Sequence, residues 1–328
     1  MTNDHADLLR RAQGALLGVA IGDAMGAPVE GMSSAEIFEK HGRLTGFITN
    51  ESAGTDDTDF TLFNAYLLNT HGTHITLEQV EHEWRDKLLS GNWSYRPGGF
   101  SDVVSTRNLS AGLHTPQSGS FNHQMWSDGV AMAISPAGII AAGQPQLAAQ
   151  LAITLGSVSN GRDGLYAAQA VAAALSMAMI GASIDQMIES ALSVVPKDSW
   201  TSRALQRAVK VGASLSDDLD TALTQLSEEL VLPWWPWADL VTEAVPLAFG
   251  AFIATRGEFK RAVPAAISLG RDADTIGAIV GSLAGAYSGR DAIPLEWIAR
   301  AKVSAGKCIG FVAGTDVEQV AAELVRRT

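Results

Sequence analysis

Apolar residues recur at three- and four-residue spacing along most of the chain, the period of a helix with one buried face. Four capping boxes precede such runs: Ser33 with Glu36, Thr76 with Gln79, Ser183 with Gln186, and Thr315 with Glu318. Together these signals predict helices over about 7–24, 56–70, 76–89, 128–142, 145–156, 164–180, 184–194, 200–212, 217–230, 240–254, 258–269, 274–288 and 316–326. No set of strands with period-two alternation competes with them. LTGFITN (44–50) is a short extended candidate, and one strand makes no sheet. The expected fold class is all-α. Glycine and proline gather between about 90 and 122, which predicts a long loop region of the functional kind. Neither a low-complexity linker nor a fixed-period repeat divides residues 1–328, so a single domain is expected.

Composition narrows the picture. At 47% hydrophobic and 18% charged, the chain can bury a substantial core, and its many small residues favour closely packed helices. The net charge is −12, and the densest basic spots are pairs such as Arg10–Arg11 and Arg326–Arg327. Without a cationic stripe, nucleic acid is not an expected partner. Cys308 is the only cysteine, which excludes an intrachain disulfide and a thiolate zinc site. The greasy run Leu165 to Ala182 is interrupted by Gln169 and Ser176 and is read as a buried helix, so no membrane association is expected. MTNDHADLLRR lacks the apolar stretch of a signal peptide, and a reducing cytoplasm is the expected location. Nothing in the pattern specifies an oligomeric state.

The chemistry is concentrated in two acidic stretches. GTDDTDF (54–60) carries Asp56, Asp57 and Asp59 beside two threonines, and GRDADTIGAIVGSLAGAYSG (270–289) carries Asp272, Asp274 and Thr275. Each stretch stands just ahead of a predicted helix, where one acidic cap would be ordinary. Each has at least two acids plus a hydroxyl, which suggests a shared site of oxygen ligands. Converging carboxylates raise one another's pKa until some protonate, unless cations cancel the charge. An oxygen-only set suits Mg²⁺, Mn²⁺ or Ca²⁺ rather than zinc. In the later stretch glycine recurs at 277, 281, 285 and 289, a ridge that admits a close neighbour and predicts a central helix.

Three motifs, GALLGVAIGDAMGAPVEG (14–31), GTDDTDF and GRDADTIGAIVGSLAGAYSG, together with DGVAMAISPAGI (128–139), resemble those of the ADP-ribosylglycohydrolases. The resemblance spans nearly the whole chain. It implies a compact helical fold with two Mg²⁺ ions (Mn²⁺ as the alternative) held by Thr55, Asp56, Asp57, Asp272, Asp274 and Thr275. It also implies cleavage between the anomeric carbon of an ADP-ribosyl group and its acceptor. The partner would be an ADP-ribosylated protein or a small ribosyl conjugate. The first-motif glutamate of the family falls on Glu30. Glu30 or Asp57 would take the proton of the attacking water, and Glu30 can also serve as a gate. Asp23, in an apolar stretch, is expected to support the site, and Asp59, about 200° around the helix from Asp57, to point away from it or to reach it only through water.

Two departures concern the substrate. Ser159 and Asn160 stand where many relatives carry a histidine, and Ala133 where an arginine often follows the methionine. Ser118, Gly119 and Ser120 form a candidate phosphate cradle, with Asn160 and Arg162 as candidate polar contacts. Trp234, Trp235 and Trp237 offer either a stacking face or packing under a loop. His71 and His74 are expected at the surface. Two alternatives stay open: hydrolysis of a smaller N- or O-glycoside at the same metals, and a non-catalytic, metal-stapled relative like the family's crystallins.

Overall fold

Glycine spacing sets the centre of the molecule. A computed structural model describes residues 3–50 and 53–328. In chain order its helices are α1 (Asn3–Gly26), α2 (Ser34–His41), α3 (Asp56–His71), α4 (Leu77–Trp84), α5 (Phe100–Ser110), α6 (Gln117–Ser120), α7 (Ser135–Ile140), α8 (Pro145–Gly156) and α9 (Asp163–Met179). They continue as α10 (Ile184–Ser193), α11 (Trp200–Ser214), α12 (Leu219–Leu230), α13 (Val241–Ala254), α14 (Phe259–Ile267), α15 (Ala273–Ser288), α16 (Leu295–Ala301) and α17 (Val317–Val325). Among the described residues β pairing is limited to isolated bridges, and 44–50 forms no strand. The all-α expectation holds.

α1 and α15 run antiparallel with their backbones in contact. A Cβ built on Gly14 would stand 2.1 Å from the Gly285 carbonyl oxygen; on Gly18, 1.9 Å from that of Gly281; on Gly22, 2.0 Å from that of Gly277. Real Cβ atoms do not approach so closely, so only glycine permits this spacing along both helices. The other helices wrap this pair. α9, α13 and α14 pack on α15, α16 and α17 pack on α1, and α3 fits between α1, α7 and α17. One apolar core runs through them, and every residue of α13 is buried.

Local rules explain where the predicted elements shift. Gly289 belongs not to the ridge but to the end of α15, at φ 78°, where a left-handed residue closes the helix. The helix expected over 128–142 is only α7: Pro136 lies in its first turn, and the residues before it form turns. The loop expected over 90–122 contains α5 and α6. α5 starts at Gly99 because Asp102 reaches back to accept the amides of Gly98 (3.1 Å) and Gly99 (3.0 Å). Three capping boxes form as expected. At the fourth, Asp316 replaces Thr315, its carboxylate accepting the amides of Glu318 and Gln319, while Glu318 pairs with Arg290 at 2.6 Å.

The glycine contact gives a direct prediction. Gly18→Ala forces a methyl into a backbone carbonyl that cannot move alone, and should cost on the order of 3 kcal/mol or more in urea unfolding. A variant as stable as the parent would contradict the packing.

Candidate metal centre

The first turn of α3 is held from outside its own chain segment. Thr55 occupies the N-cap, but its side chain makes no capping bond. Asp23 of α1 does that work: its carboxylate accepts the Thr55 amide (2.7 Å) and hydroxyl (2.7 Å), and the Thr58 amide (3.0 Å) and hydroxyl (2.5 Å). Gly54 admits this arrangement, since a Cβ there would reach within 2.5 Å of the Thr58 hydroxyl. With the turn capped by Asp23, the carboxylates of Asp56 and Asp57 need not cap it. Asp23 is fully buried, and burial lifts its pKa to about 6 against the opposing hydrogen bonds from Thr58 and Thr55.

Because α15 lies against α1, its N-terminus comes to the same place. Oxygens of Asp23, Asp57 and Asp274 lie within 4.8 Å of one another, and so do oxygens of Glu30, Asp272 and Asp274. Asp274 belongs to both groups. Asp57 Oδ1 is buried with no hydrogen-bond partner. Burial, then the charges of Asp23 and Asp274, push the Asp57 carboxyl well above the usual range. Asp274 rises likewise through burial, Asp272 and Glu30, and Asp272 through burial and Asp128. Burial also raises Asp56, and raises Glu30 ahead of the charge of Asp56. A donor-poor knot of carboxylates with an orphaned oxygen is what hard divalent cations satisfy. The residues therefore fit such ions. Asp23 serves as the anchor of this group rather than as a free ligand, since its two oxygens already accept four hydrogen bonds.

Glu30, Asp56, Asp57, Asp272 and Asp274 form the floor of a cavity of about 350 Å³, with Asp23 outside it. Its walls bring residues that the motifs did not single out. Asp102 lines it, bonded to the Tyr95 hydroxyl at 2.7 Å, with its pKa raised to about 6 by burial. Asp128 and Asp239 line it too, from turns around α7 and α13. Asp128 stands at the head of DGVAMAISPAGI, a visible signal, whereas Asp239 follows the tryptophan loop and had none. Arg271, beside ligand candidate Asp272, pairs with buried Glu243 at 2.6 Å and donates to the carbonyls of Trp235 (3.2 Å) and Trp237 (3.0 Å). That clamp fixes the tryptophan loop over the site.

The loop shows the packing reading of its aromatics. Trp235 packs between Trp126 and Trp237, Trp234 points outward, and Trp237 faces Phe100 at the cavity mouth. Ser118, Gly119 and Ser120 do not line the cavity and form no cradle: their amides already donate to the carbonyls of His114 and Pro116. The Ser118 hydroxyl is spent on Val158 O at 2.9 Å. Asn160 is tied to Ser127 and Arg162 is exposed; neither reaches the cavity wall, whereas Ser159 and Ala133 do. Asp59 joins neither carboxylate group and turns instead to the 304–309 segment. It accepts the Ser304 hydroxyl (2.8 Å) and the amides of Cys308 (2.8 Å) and Ile309 (3.1 Å), organising the 304–309 loop. His74 is exposed, while His71 is half-buried against Glu83.

Repulsion within the floor predicts an unusual pair of results. Asp274→Asn should raise the melting temperature of the metal-free protein by relieving repulsion, and should abolish stabilisation by Mg²⁺ or Mn²⁺. For the parent, that stabilisation is about 2.7 kcal/mol at a hundredfold excess over the dissociation constant. Calorimetric melting with chelator and with metal checks both; an Asn variant that still responds to metal would contradict the shared-ligand assignment.

Comparison with known proteins agrees with the helical fold. The chain is 27% identical over 300 residues to the ADP-ribosyl-[dinitrogen reductase] glycohydrolase of Rhodospirillum rubrum, covering 88% of this chain and 90% of that protein. It is 27% identical over 292 residues to an uncharacterized protein of Archaeoglobus fulgidus, covering 86% and 88%. A solved structure described as an ADP-ribosylglycohydrolase-related protein complex superposes with a TM-score of 0.68 at 25% identity, over 98% of this chain and 99% of the other. Residues 4–328 match the pattern of the ADP-ribosylglycohydrolases, and the chain belongs to that family.

Proposed function

We propose that the protein is a divalent-metal-dependent hydrolase that cleaves the glycosidic bond of an ADP-ribosyl or related ribosyl conjugate. The observation that carries this reading is the pair of carboxylate groups sharing Asp274, brought together from three chain segments on the floor of one cavity. Thr55, Asp56, Asp57, Asp272, Asp274 and Thr275 would hold two Mg²⁺ or Mn²⁺ ions, which supply positive charge for the ribose hydroxyls and the attacking water.

The chain's own groups account for the remaining steps. Glu30 follows the short turn Ala27–Val29 and is the exposed member of its carboxylate group. Its neighbour Gly31 adopts φ 77° and donates its amide to Arg271 O at 2.8 Å, which ties this turn to the head of α15. Glu30 is thus set to gate the floor and to accept a proton from water, with Asp57 as the deeper acceptor. Cleavage at the anomeric carbon develops positive charge on the sugar, which the surrounding carboxylates stabilise. Phe100 and Trp237 offer a face for a base or sugar at the mouth. Arg271, the one basic residue on the described cavity wall, is committed to Glu243. That observation favours the smaller N- or O-glycoside as a second reading, since no free cation there awaits a diphosphate.

A panel of ADP-ribosylated arginine, serine and guanidine beside simple ribosides, incubated with Mg²⁺ or Mn²⁺, separates the two. The parent should release ribosyl product from at least one compound. Asp57→Ala and Asp272→Ala should lower kcat/KM by about 10³, and Glu30→Gln by about 10²–10⁴. A parent that cleaves nothing, or variants that match it, would defeat the proposal.

A further inference from the structure

Basic residues gather along α11 and the turn that precedes it. Lys197, Arg203, Arg207 and Lys210 fall in a stretch that holds one acid, Asp198, although the chain as a whole carries −12. All four are exposed, and none forms an ion pair among the described residues. Trp200, Arg203, Arg207 and Lys210 stand at helical spacing and share one stripe, while the opposite face of α11 is buried against α13. A groove of about 190 Å³ opens on this stripe, lined by Trp200, Arg203, Ala204 and Arg207. The small side chain of buried Ala204 leaves the space between the two arginines open.

The groove stands on a fixed helix start. Ser199 caps α11 by accepting the Ser202 amide (3.0 Å), and Asp163, at the head of α9, accepts the Thr201 amide (2.9 Å) and hydroxyl (2.8 Å). Trp200 is thus held between two anchored residues while it stays 45% exposed. Arg203 donates to the Asp198 carbonyl at 2.8 Å, which orients its guanidinium without neutralising it. Two uncompensated guanidinium groups one helical turn apart suit a phosphate, whose oxygens accept paired N–H donors. An accessible indole beside them suits a flat ring. A nucleoside phosphate joins both features in one compound. An acidic peptide answers the arginines alone and leaves the indole without a planar partner.

We propose that Trp200, Arg203 and Arg207 form a nucleoside-phosphate site on α11, separate from the metal-centre cavity, with which it shares no lining residue. The site does not depend on the glycosidase reading, and binding alone tests it. Calorimetric titration of the Mg²⁺-loaded protein with AMP, adenosine, inorganic phosphate and hexaglutamate separates the contributions. AMP should bind at least about tenfold more tightly than adenosine or phosphate, because each of those keeps only part of the contacts. Arg203→Gln and Arg207→Gln should each weaken AMP roughly tenfold, and Trp200→Ala by about the same factor through lost stacking. Melting with and without Mn²⁺ checks that each variant keeps the parent's fold and metal response. AMP held only in the cavity would be insensitive to all three substitutions. That result, no binding of AMP, or hexaglutamate binding as tightly as AMP would overturn the proposal.

Discussion

The backbone contact between α1 and α15 is the constraint from which the site follows. Gly14, Gly18 and Gly22 meet Gly285, Gly281 and Gly277 with no room for a methyl on either side. At the end of the same seam, a Cβ on Gly26 would fall 2.5 Å from Ala273 O and from Asp274 Cα. Asp23 and Glu30 flank Gly26, and Asp272 and Asp274 flank Ala273. Moving the helices apart by one side chain would separate the acids that form the floor. Packing density and chemistry are therefore one design problem here.

The second dependence is electrostatic. Asp57, Asp272 and Asp274 are buried among like charges, and each is pushed toward protonation. Such a cluster destabilises the fold unless something positive resides in it. The surrounding structure is arranged to tolerate the strain: Asp23 braces the turn below, Asp102 braces the loop above, and Arg271 with Glu243 holds the tryptophan loop across the mouth. Gly98 completes the enclosure, for a Cβ there would collide with the Asp56 carboxylate at 2.1 Å.

Much of this was legible in the sequence, and for identifiable reasons. Helices with clear start signals, such as α8 opened by Pro145 and α10 by its capping box, fall where the pattern predicts them. The acidic stretches were legible because adjacent aspartates at helix starts exceed what capping needs. Asp59 was separable from its neighbours by helical angle alone, and its partners in the 304–309 loop bear that out. Tertiary partners were not legible. α5 starts on a glycine whose cap comes from Asp102, and the cap of α17 moved to Asp316 because a carboxylate there takes two amides. Asp239 comes to the cavity by a loop whose course is set by Arg271, an interaction with no local signature. The Ser118–Ser120 cradle failed because a short helix turn consumes the amides that a free loop would have offered.

Anomalous diffraction from a crystal of the protein grown with Mn²⁺ tests the central claim most directly. Two peaks are predicted on the cavity floor, both touching Asp274, one beside Asp57 and the other beside Glu30 and Asp272. No ordered manganese there, or ions bound elsewhere while Asp57 Oδ1 stays unliganded, would contradict the account.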